Sequence, residues 1–151
     1  MNNFDYYSMY REVNEFSSLN KLFAALLCEK INVMNYSTNA IIEKYYNLSS
    51  TLDELSYSLD ESLEKVKNII KIKKGYPIFK LDDLELTSPI QTHVSQDYKE
   101  GIIIENIKNE IGIILEIIKD IITKINNSGD YDTINILSNI SYELKTLLLS
   151  I

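Results

Sequence analysis

The chain holds one histidine and one cysteine in 151 residues, so most familiar catalytic constellations lack their parts. Cys28 has no histidine near it in sequence and sits in an apolar helical stretch. It reads as a small buried hydrophobe rather than a nucleophile. His93 falls in a long connecting segment and reads as a loop hydrogen-bonder or surface residue rather than a ligand. Eleven tyrosines neither interleave with basic residues nor follow an RNA-binding spacing, so base stacking is not expected. Phe4, Tyr6, Tyr7 and Tyr10 cluster near the N-terminus and are expected to dock on the rest of the fold or on a neighbouring subunit. No glycine-rich phosphate loop, Ser-His-Asp set or metal finger is present. What remains is acidic. Asp60 and Glu64 stand four apart, so on a helix their carboxylates share a face and suit a hard cation through oxygen ligation. The same residues also read as solvated acids among lysines, with Glu61 paired to Lys65 and Glu64 near Lys67.

Helices must position these groups. The isoleucines after residue 100 would suggest strands by propensity, but Ile104, Ile107, Ile111, Ile114, Ile118, Ile121 and Ile125 recur in alternating steps of three and four. Only a helix makes that stripe, here from about Asp97 to Ile125, closed by Asn126-Asn127-Ser128-Gly129. Leu48, Leu52, Leu55, Leu59, Leu63, Val66 and Ile70 predict a helix from about Ala40, capped by Asn39, to Lys74, stopped by Gly75 and Pro77. Leu19, Leu22, Phe23, Leu26, Leu27, Ile31 and Met34 mark an earlier helix capped near Ser17 or Ser18. Ile134, Leu137, Ile140, Leu144, Leu148 and Ile151 mark the last, entered through Gly129-Asp130. The segment from Gly75 to Gln96 holds both prolines and a helical turn near Asp82 to Leu86. The expected architecture is all-α: a tail over residues 1–16, then a four-helix bundle over 17–151 with one long crossover carrying a short extra helix.

Twenty-two acids oppose 15 bases, and the first 16 residues set Arg11 against Asp5, Glu12 and Glu15. Such a surface repels DNA phosphates and anionic lipids, so no DNA binding is expected. The one basic cluster, Lys65, Lys67, Lys71, Lys73 and Lys74, complements the dipole of a helix end. With no signal-like N-terminus, no membrane-length apolar run and a single thiol, the expected setting is the cytoplasm.

Four local patterns, in order and spacing, resemble the Dps family of mini-ferritins. They are Leu19-Asn20-Lys21-Leu22-Phe23-Ala24-Ala25-Leu26, then Thr51 to Leu55 followed by Leu59 to Val66, then Gly75-Tyr76-Pro77 with Leu81-Asp82-Asp83-Leu84, and finally Gly129 to Leu137 with Tyr142 to Lys145. The resemblance implies a ferritin-like cage of twelve subunits that oxidises ferrous iron, preferably with peroxide. It implies iron sites shared between subunits, one contributing an Asp and a Glu a turn apart, the other two His and an Asp. Asp60 and Glu64 match the first half. The second half departs: Tyr45 and Ser49 stand where a His and the Asp belong, and the other His falls on Val33 or Asn35. Another residue, such as Glu43 or Asn35, is a candidate to replace a lost ligand.

The expected function is therefore a Dps-like mini-ferritin cage subunit for iron storage and oxidative-stress protection. Its ferroxidase site is degenerate, with iron held weakly through Asp60 and Glu64. A non-catalytic structural shell and a helical-bundle adaptor are the alternatives.

Overall fold

The structure, a computed structural model, describes residues 3–151, with side chains from Phe16 onward. The docking expected of Phe4, Tyr6, Tyr7 and Tyr10 lies outside the described side chains. Every regular element among the described residues is a helix: α1 (Asn3–Ile42), α2 (Tyr46–Ile72), α3 (Leu81–Thr87), α4 (Glu100–Ile125) and α5 (Tyr131–Leu148).

Helix α1 packs on α2 and α4, and α5 packs on the same two, which closes a four-helix ring with α3 leaning on α1. Bonds between neighbours fix the directions. Asn32 meets Glu110 and Tyr36 meets Asn106, so α1 and α4 are antiparallel. Lys65 meets Glu143 and Lys73 meets Asp130, so α2 and α5 are antiparallel as well. Lys30 meets Asp60 and Ser37 meets Asp53, so α1 also runs against α2; α2 and α4 therefore point the same way, and the chain between them must travel the length of the bundle. That crossover carries α3, as expected.

The leucine stripe of α2 is buried except for half-buried Leu63, and Ile107, Ile111, Ile114, Ile118, Ile121 and Ile125 of α4 all face the core. Ile103 is buried in place of Ile104, which is half-covered. Cys28 is a buried free thiol, as its surroundings suggested. Helix α5 starts at the expected place. Gly129 adopts φ +79°, a left-handed turn costly for any side chain, and Asp130 caps the helix by accepting from the Thr133 N–H at 3.3 Å. At the far end of α2, a Cβ on Gly75 would come within 2.6 Å of the Phe16 ring, so any side chain there would displace that ring.

Three boundaries differ from the sequence reading. Helix α1 begins at Asn3 rather than near Ser17. It also runs on to Ile42, so Asn39 lies inside it with a buried side chain and caps nothing. The break falls instead at Glu43–Tyr45, where Lys44 adopts φ 62°. Third, α4 starts at Glu100, because Tyr98 is still part of the crossover and donates its hydroxyl proton to the Val94 carbonyl at 2.7 Å.

Candidate functional site

Asp60 and Glu64 project from the outward face of α2, with side chains 58% and 66% exposed. Together with Phe23, Leu27, Leu63, Lys67 and Phe79 they line a cleft of about 300 Å³. Both carboxylates already face an ammonium. Lys30 Nζ donates to Asp60 Oδ2 at 2.6 Å, to Ser56 Oγ at 2.8 Å and to the Ser56 carbonyl at 3.2 Å, which uses all three of its protons. Lys67 Nζ lies 2.5 Å from Glu64 Oε1. The expected Glu64–Lys67 pair is present, whereas Lys65 reaches Glu143 at 3.6 Å rather than Glu61. The positions that the resemblance assigns to the other half of a shared site lie, within one chain, away from Asp60 and Glu64. Ser49 precedes Asp60 by three turns of α2, roughly 16 Å of rise, and Tyr45 lies beyond it. Val33 is fully buried and Asn35 is engaged elsewhere. Among the described residues, no group of three or more His, Cys, Asp and Glu side chains converges to hold a metal ion. Within one chain these residues do not assemble a two-iron centre.

Lys30→Met is expected to unmask Asp60 and strengthen divalent-cation binding on this face about fivefold, the equivalent of about 1 kcal/mol for a part-exposed ion pair. Titration calorimetry against the unmutated chain checks it, and unchanged affinity would show that the ammonium does not compete.

A second polar group lies inside the bundle, and the sequence reading missed it. Glu29 of α1 is 0% exposed, and its carboxyl lies beside the side chains of Glu110 and Asn32 without a hydrogen bond of good geometry to either. Burial, and then the nearby Glu110 charge, push its carboxyl well above the usual carboxylate range. Glu110 of α4 is buried too. Its Oε1 meets His93 Nε2 and lies 3.5 Å from Asn32 Nδ2, while its Oε2 has no described partner. His93 thus hydrogen-bonds from the crossover, as expected. Tyr36 is wholly buried, its ring edge-to-face with Tyr98, and its hydroxyl accepts from Asn106 Nδ2 at 3.1 Å. Burial and then the Glu110 charge raise its phenol above the ordinary value of 10.

The crossover is tied over this group by three asparagines of α1 spaced by three and four residues. Asn32 Nδ2 donates to the Gln91 carbonyl at 2.8 Å, and its Oδ1 accepts from the His93 N–H at 2.9 Å. Asn35 Nδ2 donates to the carbonyls of His93 and Val94, and Asn39 Nδ2 to that of Gln96. Asn35 is therefore a clamp for the crossover rather than a stand-in ligand, and Glu43 sits exposed in the α1–α2 turn. A signal for the buried carboxylates existed. Leu22, Leu26, Glu29, Val33, Tyr36 and Ala40 step by four and three, as do Ile103, Ile107, Glu110, Ile114, Ile117 and Ile121. Each glutamate fills a core-facing position of its stripe.

Two antiparallel helix pairs joined by one long crossover, with carboxylates both on and inside the bundle, define the ferritin-like fold. The chain has the form of it found in Dps proteins. It superposes with a TM-score of 0.85, at 17% identity, on the Dps protein of Vibrio cholerae O1, over 93% of this chain and 87% of that one. That protein is described as a member of a broad superfamily of ferritin-like diiron-carboxylate proteins. The sequence matches no protein-family model and no curated protein.

Proposed function

We propose that the protein is the subunit of a Dps-like homo-oligomeric cage of twelve copies in the cytoplasm. In this reading it contributes to iron storage and oxidative-stress protection, with iron bound weakly at Asp60 and Glu64 and oxidised slowly. The observation that carries the reading is the Dps-like course of the chain, with that carboxylate pair on an open, partly apolar cleft. An uncovered apolar stripe beside the cleft supports assembly. Leu27, Ile31 and Met34 run along one side of α1, the last two 43% and 55% exposed, and Phe79 and Leu81 stand exposed on the adjoining crossover. Ile31 and Met34 were expected in the core of a single chain; a neighbouring copy would cover them. The acidic balance leaves DNA outside this reading.

A metal-free structural shell is the second reading, favoured by Lys30 and Lys67 holding both carboxylates. Native mass measurement at micromolar concentration is expected to give about twelve times the 17.5 kDa chain. A monomer or dimer would overturn the cage. Asp60→Asn with Glu64→Gln is expected to abolish slow iron oxidation and leave that mass unchanged. A particle whose iron uptake is the same with and without the double substitution would favour the shell reading for this cleft.

A further inference from the structure

Four side chains apart from the Asp60–Glu64 cleft meet where the crossover passes over the bundle. We propose that Glu29, Glu110, Asn32 and His93 form a proton-held latch, in which one proton shared by the two carboxyls keeps the crossover closed over the interior. Glu29 of α1 and Glu110 of α4 are 0% and 7% exposed, and the Glu29 carboxyl lies beside both Glu110 and Asn32. Two carboxyls that close together in a dry interior do not both ionise, so one keeps its proton. The proton gives the pair a donor. Glu29 donates it to Glu110 Oε2, while Glu110 Oε1 is engaged by His93 Nε2.

The latch reaches the crossover through His93 and Asn32. His93 is tied to Glu110 by its ring and to Asn32 by its backbone N–H. Asn32 Nδ2 is shared between the Gln91 carbonyl at 2.8 Å and Glu110 Oε1 at 3.5 Å. Asn32 follows Glu29 by three residues on the same helix face. Ionised Glu29 competes for the Asn32 amide and repels Glu110, so losing the proton weakens both ties and frees the crossover at Gln91 to His93. No fixed cation takes the place of the proton. Around the carboxyls, α1 adds Cys28 and Tyr36, and the crossover adds His93 and Tyr98. The buried polar side chains are neutral hydroxyls on α2 (Ser58 and Ser62) and on α5 (Thr133). Lys30, next to Glu29, is turned out to Ser56 and Asp60. Burial, and then the Glu110 charge, hold the Glu29 proton to a pH at which an exposed carboxyl has lost it.

The test is amide hydrogen exchange of the full chain from pH 5 to pH 8, with chelator present and intrinsic exchange rates divided out. The His93 amide is expected to exchange by local opening, faster than Ile114 of α4 and without dependence on low urea. Its protection is expected to fall about tenfold over that range, because the opened state releases the proton that the closed state keeps. Glu29→Gln, whose amide donates to Glu110 at every pH, is expected to remove the fall. Asp60→Asn with Glu64→Gln is expected to leave it unchanged, which separates the latch from the cleft. Infrared spectra at pH 7 are expected to show a protonated-carboxyl stretch that Glu29→Gln removes. Protection that does not vary with pH, that falls equally in Glu29→Gln, or that is lost only together with Ile114 would overturn the latch. Should Glu29→Gln fail to fold, the unmutated chain still decides. Protection is expected to fall while the carboxyl stretch is present and to level off where it disappears, and a fall with no such stretch would overturn the proposal.

Discussion

Asn32→Ala is expected to lower the free energy of unfolding by about 2–4 kcal/mol, since it leaves two backbone groups of the crossover without their partner. Asn32 is fully buried and is the only one of the three clamping asparagines seen to use both ends of its amide, one on the Gln91 carbonyl and one on the His93 N–H. Truncation strands a donor and an acceptor, each worth about 1–3 kcal/mol when desolvated, with some relief from entering water. Urea unfolding measures the total, and amide exchange should localise it: protection at His93 falls before that of α4 does. Asn35→Ala is the control, with a smaller loss because its bonds lie nearer solvent. A cost under about 1 kcal/mol for Asn32→Ala would mean that buried Ile90 and Tyr98 hold the crossover without the clamp.

The second large effect runs the other way. Glu29→Gln is expected to stabilise the fold at pH 7 by about 1–3 kcal/mol, the scale of one poorly satisfied buried polar group. The sign follows from linkage. Burial raises the Glu29 carboxyl in the folded chain, so between the ordinary carboxylate value and that raised value the folded state holds a proton that the unfolded state has released. Over that window the unmutated chain loses stability as pH rises. The advantage of glutamine therefore shrinks toward zero as pH falls to about 4, where Glu29 is protonated in both states. Asp130 behaves oppositely. Burial alone would raise it, but the Lys73 ammonium and the Thr133 N–H outweigh burial and hold its carboxyl below the usual value. Its contribution is present above the ordinary carboxylate range and is lost as pH falls through the folded value. Urea midpoints of the two proteins from pH 4 to 8, with chelator present, are the check. A difference that does not vary with pH would show that Glu29 keeps no unusual proton.

The helices were legible because apolar spacing reports which side of a helix is covered, and the stripes of α2, α4 and α5 did so almost residue for residue. On α1 the same logic misplaced Ile31 and Met34. The core side there is carried on by Glu29, Asn32, Val33, Tyr36 and Asn39, and a polar residue in a core register is indistinguishable by pattern from one in solvent. The α1–α2 break was misplaced for a related reason: Asn39 has the chemistry of a cap, but its amide is used on a segment 57 residues away. Asp60 and Glu64 were legible as a pair, while Lys30, 30 residues away in sequence, could be placed against Asp60 only once α1 and α2 were docked. The interior glutamates were the reverse case, visible in the heptad-like steps yet meaningless until two helices and a crossover brought them together.

The covering of α4 also bears on how the chain survives its own synthesis. Its windows Gly101 to Ile104 and Ile111 to Ile118 are rich in β-branched residues with no proline, the composition that favours extended stacking between chains when exposed. Their helical state depends on docking against α1 and α5 rather than on intrinsic preference. α5 follows α4 in the chain, so α4 leaves the ribosome with one of its two flanks missing. Glu105, Lys108, Glu116, Lys119 and Asp120 interrupt the isoleucines on the outer side, and charges in such positions disfavour pairing of an exposed segment with its copies.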